Sequence, residues 1–259
     1  MKSFVMGLTV ALVLGACGGG ANRPAESAAA ATRPADVVRH RAKVHTDLGL
    51  AYLEGGQLTV ALDEARIALS ADPDYAPTYN LLGLAHMQMK EMARAEEYFE
   101  KALRLAPGDA EISNNVGWFM CQSGREARSF EYFDASAKNP LYATPARPLV
   151  SAGLCANRIK DFKRAEEYLS RALRHDPGSV EGMYLLADVL YQQQRYAEAR
   201  LRLAEVHRRA EPTASSAWLA LRIERKVDDR EGEARWIAQL RRKFADSPEY
   251  RKLTQGLPE

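Results

Sequence analysis

Beyond about residue 40 the apolar residues of this chain recur at spacings of three and four, in segments of about 13 residues joined by short polar turns such as Gly55-Gly56-Gln57. That spacing gathers apolar side chains on one stripe of a helix, so the body is predicted to be a succession of helices paired through tight turns. The front of the chain is different. After Met1 and Lys2, residues 4–16, "FVMGLTVALVLGA", carry no charge; this is the length of an export-signal core and short of the ~20 residues a spanning helix needs. Residues 1–16 are therefore read as a signal peptide. Residues 17–39 are rich in Gly, Ala, Pro and Ser and poor in large apolar side chains, too poor to offset the entropy of ordering. They are read as a linker whose ~20 flexible residues reach roughly 25 Å. The folded body is left as residues 40–254.

Within that body the pattern repeats. Small residues recur at Gly49, Gly83, Gly117, Gly153 and Ala187, and in step with them run Ala61, Ala95, Ser129, Ala165, Ala199 and Ala234. The period is 34 residues apart from small insertions. Prolines close most units, at Pro73, Pro107, Pro140, Pro177, Pro212 and Pro248, because a proline lacks the amide hydrogen a helix needs and clashes with the preceding turn. Its best unit reads Tyr79-x2-Leu82-Gly83-x2-His86, then Ala95-x3-Phe99, Ala102 and Pro107. This resembles the tetratricopeptide repeat over about residues 42 to 248, and the resemblance implies an all-α fold: about six helical hairpins stacked into a right-handed superhelix, its concave groove lined by the first helix of each pair. The sixth unit, around Trp218 and Leu221, is the most degenerate and is expected to cap the array.

The signal ends in Leu14-Gly15-Ala16-Cys17, which resembles the lipobox of bacterial lipoproteins. The resemblance implies that the Cys17 thiol carries diacylglycerol, that cleavage falls just before it, and that the new amino terminus is acylated. Several acyl chains, at about 0.8 kcal/mol per buried methylene, hold a protein firmly where one is marginal. Gly18 follows, where inner-membrane retention usually shows Asp, so the expected address is the outer membrane, with the repeats in the periplasm. A net charge of +2 and 46% hydrophobic residues, with no second long apolar run, fit a soluble body on that tether.

Chemistry is sparse. His40, His45, His86, His175 and His207 form no metal-ligand spacing, no cysteines stand as CxxC, and the carboxylates are scattered over helix surfaces. His86 takes a repeat position usually held by an aromatic residue and is expected to pack between helices. The excess of basic residues beyond Arg195 is mild and is read as solvated helix faces, not a nucleic-acid surface. No catalytic residue, metal or cofactor is expected, and the chain is read as a binding module. Its ninth repeat position, which faces the groove, carries Leu50, Leu84, Trp118 and Leu154 before Asp188, and the twelfth adds Leu53 and Met87. Such a strip suits an amphipathic helix or an apolar strand of a partner. Trp118 is its best anchor, although residues at these positions also serve as core between neighbouring helices.

Cys121 and Cys155 fall on the first helices of the third and fourth units, neighbours in the expected stack. In an oxidising periplasm they are placed to pair, and closing that loop constrains the unfolded chain by roughly 4 kcal/mol. The other reading is two buried free thiols. At this junction "NNVGWFMCQSGR" (114–125) and "NPLYATPARPLVSAGLCANR" (139–158) resemble the pilotin lipoproteins of type IV pili, the PilF/PilW/Tgl group, as does "RRKFADSPEYRKL" at the end. Asn139 replaces the family's usual acid. The resemblance implies an outer-membrane lipoprotein that brings secretin subunits to the outer membrane and promotes or stabilises their assembly. A rival of another kind is a lipid-anchored periplasmic scaffold for cell-wall synthesis or hydrolysis enzymes.

Overall fold

The computed structural model describes residues 34–255, so the signal peptide, Cys17 and the front of the linker lie outside the described residues. Among the described residues thirteen helices and no strands are found. Six hairpins pair α1 (Pro34–Glu54) with α2 (Leu58–Ala71), α3 (Ala76–Gln88) with α4 (Met92–Leu105), α5 (Ala110–Gln122) with α6 (Glu126–Lys138), α7 (Ala146–Arg158) with α8 (Phe162–His175), α9 (Val180–Gln192) with α10 (Tyr196–Arg209), and α11 (Ala214–Lys226) with α12 (Arg230–Lys243). A short α13 (Pro248–Gln255) packs on α11 and α12.

Each hairpin turns in the same way. Gly56, Lys90, Gly124, Lys160, Gln194 and Asp228 all have φ between 57° and 74°. At each one its amide and the next bond back into the last turn of the helix, as Lys90 N–H does to Met87 O at 3.0 Å and Glu91 N–H to His86 O at 2.9 Å. This left-handed cap satisfies carbonyls that a helix end leaves unpaired. Successive turn residues are 34, 34, 36, 34 and 34 positions apart, so the two-residue insertion sits between the third and fourth hairpins.

Packing inside the second, third and fourth hairpins depends on a missing side chain. Phe99 fills the space over Gly83, Phe133 that over Gly117 and Leu169 that over Gly153. All three large side chains are buried, each contributing about 1.5–3 kcal/mol on the usual area scale. Between hairpins, each first helix touches the first helices before and after it, whereas second helices meet only the first helices on either side. First helices thus crowd together while second helices splay, and the stack curves with the first helices inside. His86 is buried as a packing residue: its ring stacks on Tyr98 at 5.0 Å and its Nδ1 lies 2.7 Å from Glu91 Oε2. That bond holds the Glu91 carboxyl below its usual range.

At the irregular junction Cys121 on α5 and Cys155 on α7 are joined, with sulfurs 2.07 Å apart, Cα atoms 6.0 Å apart and no exposure of either residue. The bridge ties two first helices directly across the stack.

The ends depart from the sequence reading. Helix α1 starts at Pro34, so residues 34–39, expected to be linker, are helical. Proline is preorganised for the first helical position, and the turns it opens are exposed all round, which hides them from an amphipathic pattern. Pro248 does not close the sixth unit; α12 ends at Lys243, and Pro248 opens α13. Nor does Ala234 continue the small-residue series. The turn at Asp228 keeps the period at 34, so Glu233 stands there, bonded to Arg225 at 2.8 Å, and Ala234 is exposed.

Among the described residues the array is capped at its far end and uncapped at its near end. Trp218, Leu221 and Leu240 form a small core with Phe244, Tyr250 and Leu253 packed against it. On α1, Leu48 is 42% exposed, whereas its counterparts one repeat apart, Leu82, Val116, Ala152, Leu186 and Ala220, are all buried.

Candidate peptide-binding cleft

The inner surface narrows into a cleft of about 740 Å³ between α3, α5, α7 and the start of α9. Helix α3 supplies Leu84 and Met87, α5 supplies Trp118, and α7 supplies Val150 and Leu154. Leu84, Trp118 and Leu154 reach one cleft because they share one repeat position on neighbouring first helices. A second cleft of about 700 Å³ adjoins it, sharing Leu84 and Met87 and adding Leu53 and Met92. Leu53 is buried there as a member of the core, so it serves packing more than the groove surface expected of it. Leu50 packs half-buried against the core and lines neither cleft. Asp188 ends the apolar strip, where its carboxylate accepts the Asn157 amide at 3.0 Å.

The insertion builds one rim. Residues 143–147 line the cleft, and the loop before them is fixed by its own side chains. Asn139 donates to Gly108 O at 2.9 Å and accepts the Leu141 N–H at 2.9 Å; Tyr142 and Arg147 both donate to Glu111 at 2.7 Å. Burial raises the Tyr142 phenol above its usual value, so it remains a donor. Leu141 itself points out, 92% exposed.

The floor is polar. Asn115 Nδ2 donates to Asn80 Oδ1 at 3.2 Å, and Asn114 Nδ2 donates to Asn115 Oδ1 at 3.3 Å. All three side chains are buried, and Asn114 and Asn115 line the cleft. Hydropathy alone missed them, since an asparagine within a helix reads as surface. Their signal was the spacing of Asn80 and Asn114, one repeat apart on successive first helices. Among the described residues no three His, Cys, Asp or Glu side chains group as they would around a metal ion, and no helix is long and apolar enough to cross a membrane. What the arrangement can do is hold an apolar segment over a hydrogen-bonding floor.

Comparison with known proteins gives the same architecture. Tetratricopeptide-repeat models match residues 46–110, 80–143 and 160–222. The type IV pilus assembly protein PilF of Pseudomonas aeruginosa is 27% identical over 118 residues, 46% of this chain and 47% of that protein, so the alignment spans about half of that relative. Among solved structures, PilW, described as a widely conserved type IV pilus biogenesis factor, superposes with a TM-score of 0.75 at 27% identity, covering 82% of this chain and 98% of that one. The structure of Pseudomonas aeruginosa PilF gives 0.72 at 26% identity, covering 85% and 99%. A repeat protein of Parabacteroides merdae, at 17% identity and a TM-score of 0.62, shares the fold alone.

Proposed function

Because this chain is a tetratricopeptide-repeat protein related to the type IV pilus biogenesis factors PilF and PilW, we propose that it works as a pilotin: a lipid-anchored, non-catalytic binding module that holds secretin subunits at the outer membrane while their ring assembles. The observation that carries this reading is the apolar cleft formed by Leu84, Met87, Trp118 and Leu154 in a superhelix that matches both relatives along nearly their whole solved length. A secretin subunit must expose apolar, membrane-facing surface before its ring closes. A cleft tethered through Cys17 can cover such a segment at the bilayer where it will be used.

The test is a Leu84→Asp, Trp118→Asp variant, followed by secretin multimer formation, protein accumulation and circular dichroism together. Trp118 lines the cleft while packing, partly buried, against the core, so accumulation and circular dichroism are read beside assembly; the variant should accumulate as a helical protein and lose secretin multimers. Truncation of Trp118 to Ala alone should weaken capture by about 2 kcal/mol or more. A stable, anchored variant that supports full assembly overturns the reading. So does co-purification from outer membranes of a peptidoglycan synthase or hydrolase in place of a secretin, which would favour the cell-wall scaffold.

A further inference from the structure

From the amide chain on the cleft floor we infer that the cleft reads the main chain of an extended apolar segment, with Asn114 bonding directly to one of its peptide groups. The inference rests on the cleft being the partner site and adds the conformation of what enters it. The three asparagines form a directed chain: Asn115 gives its amide hydrogen to Asn80, and Asn114 gives its own to Asn115. The chain ends on Asn114 Oδ1, which has no hydrogen-bond partner among the described residues and is itself almost inaccessible, Asn114 being only 3% exposed, so a peptide group in the cleft reaches it only as the side chain turns toward the cleft it lines. Buried acceptors without partners are rare because they forfeit their solvation. The same repeat position one unit later is Val150, an apolar residue that lines the same cleft without that cost. An asparagine held there therefore points to a ligand that completes the chain.

The chemistry of an amide narrows what that ligand is. Turning all three side chains over reverses the chain, so the terminal group at Asn114 is either an acceptor or a donor. A peptide group carries both and satisfies either state. In a helical occupant the peptide groups along its length are already bonded within the helix. In an extended occupant they are free, and successive side chains point to opposite faces. Such a segment, laid across Asn114, can send alternate apolar side chains toward Trp118 and Leu154 on one wall and toward Leu84 and Met87 on the other. Specificity then comes from side-chain size, and grip from the backbone.

The experiment uses overlapping 15-residue synthetic peptides spanning the secretin sequence, titrated against the full-length lipoprotein in detergent. The best binder is then remade with single N-methyl groups or ester bonds along its backbone, which remove one N–H at a time or weaken one carbonyl. One backbone position should lose at least tenfold in affinity against the native chain. Asn114→Ala should lose a similar factor and lose nothing further from the same backbone change, a coupling that loss of its bond to Asn115 cannot mimic. A merely structural asparagine would leave the two losses independent. Asn114→Ala binding as tightly as native, or a backbone effect that persists undiminished in that variant, overturns the inference. If no linear peptide binds while intact secretin is still captured in a Trp118-dependent way, extended recognition is wrong and the cleft reading survives. If neither binds, both fall.

Discussion

The backbone of Gly83 lies so close to the ring of Phe99 that a Cβ placed on it would stand 2.7 Å from Cδ1 and Cε1. Phe99 is 1% exposed and its ring meets Phe119 at 5.3 Å, so it has nowhere to withdraw. Gly83→Ala should therefore destabilise the protein by about 1–3 kcal/mol, the usual cost of overfilling a packed core. Adding Phe99→Leu should return part of that loss. Denaturant midpoints of the single and double variants measure the coupling; additive effects would show that the contact is not what excludes a side chain.

At Lys90, Lys160 and Gln194 the chain takes the left-handed conformation with residues that have a Cβ. Glycine serves two of the other turns. Relieving the steric cost while adding the unfolded-state entropy of glycine should leave a net gain of about 0.5 kcal/mol per site. Thermal melts of Lys90→Gly, Gln194→Gly and their combination should rise stepwise. A fall at either site would mean that its side chain contributes more than its backbone costs.

The Cys121–Cys155 bridge closes a loop of 34 residues, worth roughly 4 kcal/mol in the chain-entropy model. Changing both residues to Ala should lower the melting temperature markedly. Because both residues are fully buried, reductant without denaturant should leave the native protein oxidised for hours. Thiol titration before and after unfolding reads both states, and two reactive thiols in the unreduced, unfolded chain would refute the bridge.

Burial holds the His207 imidazole below its ordinary 6.5. Its Nε2 lies 3.0 Å from Ser216 Oγ, its ring 4.8 Å from Trp236, and Arg200, Glu224 and Arg235 share its small cleft. Below pH ~6.5 the unfolded chain binds a proton that the folded chain resists, so the stability His207 supplies at neutral pH is lost as the pH falls toward its folded value. Melting temperatures between about pH 7.5 and about pH 5.5 should decline, and decline less steeply in His207→Gln. Equal slopes would assign the pH dependence elsewhere.

Cys17→Ala tests the proposed anchor. The variant should keep the helical signal of the repeat domain, appear in the soluble periplasmic fraction, and support fewer secretin multimers. Continued fractionation with outer membranes in detergent-free lysates would exclude Cys17 as the point of attachment.

How much of this was legible follows from what each residue must satisfy. Gly83, Gly117 and Gly153 could be read because a buried ring or leucine admits no alternative to a small residue, and the requirement recurs with the fold's period. Leu84, Met87, Trp118 and Leu154 could be placed on one strip by the same period. Pro248 was misread because the chemistry that ends one helix also begins the next, and position alone does not distinguish the two. Pro34 to Arg39 carried no signal because a helix exposed on every side has no preferred face. The rim of the cleft comes from the one stretch that breaks the repeat, so no periodicity could foresee it. The amide floor was hidden among polar residues that hydropathy assigns to the surface.

The contrast between buried Leu82 and exposed Leu48 gives this architecture a direction of growth. A further hairpin placed before α1 would meet a seat already shaped by the repeat and would lengthen the concave strip beyond Leu50, whereas one added after α13 must first displace that helix from Trp218 and its neighbours. Lengthened arrays should therefore be obtainable by duplicating the first unit and not the last.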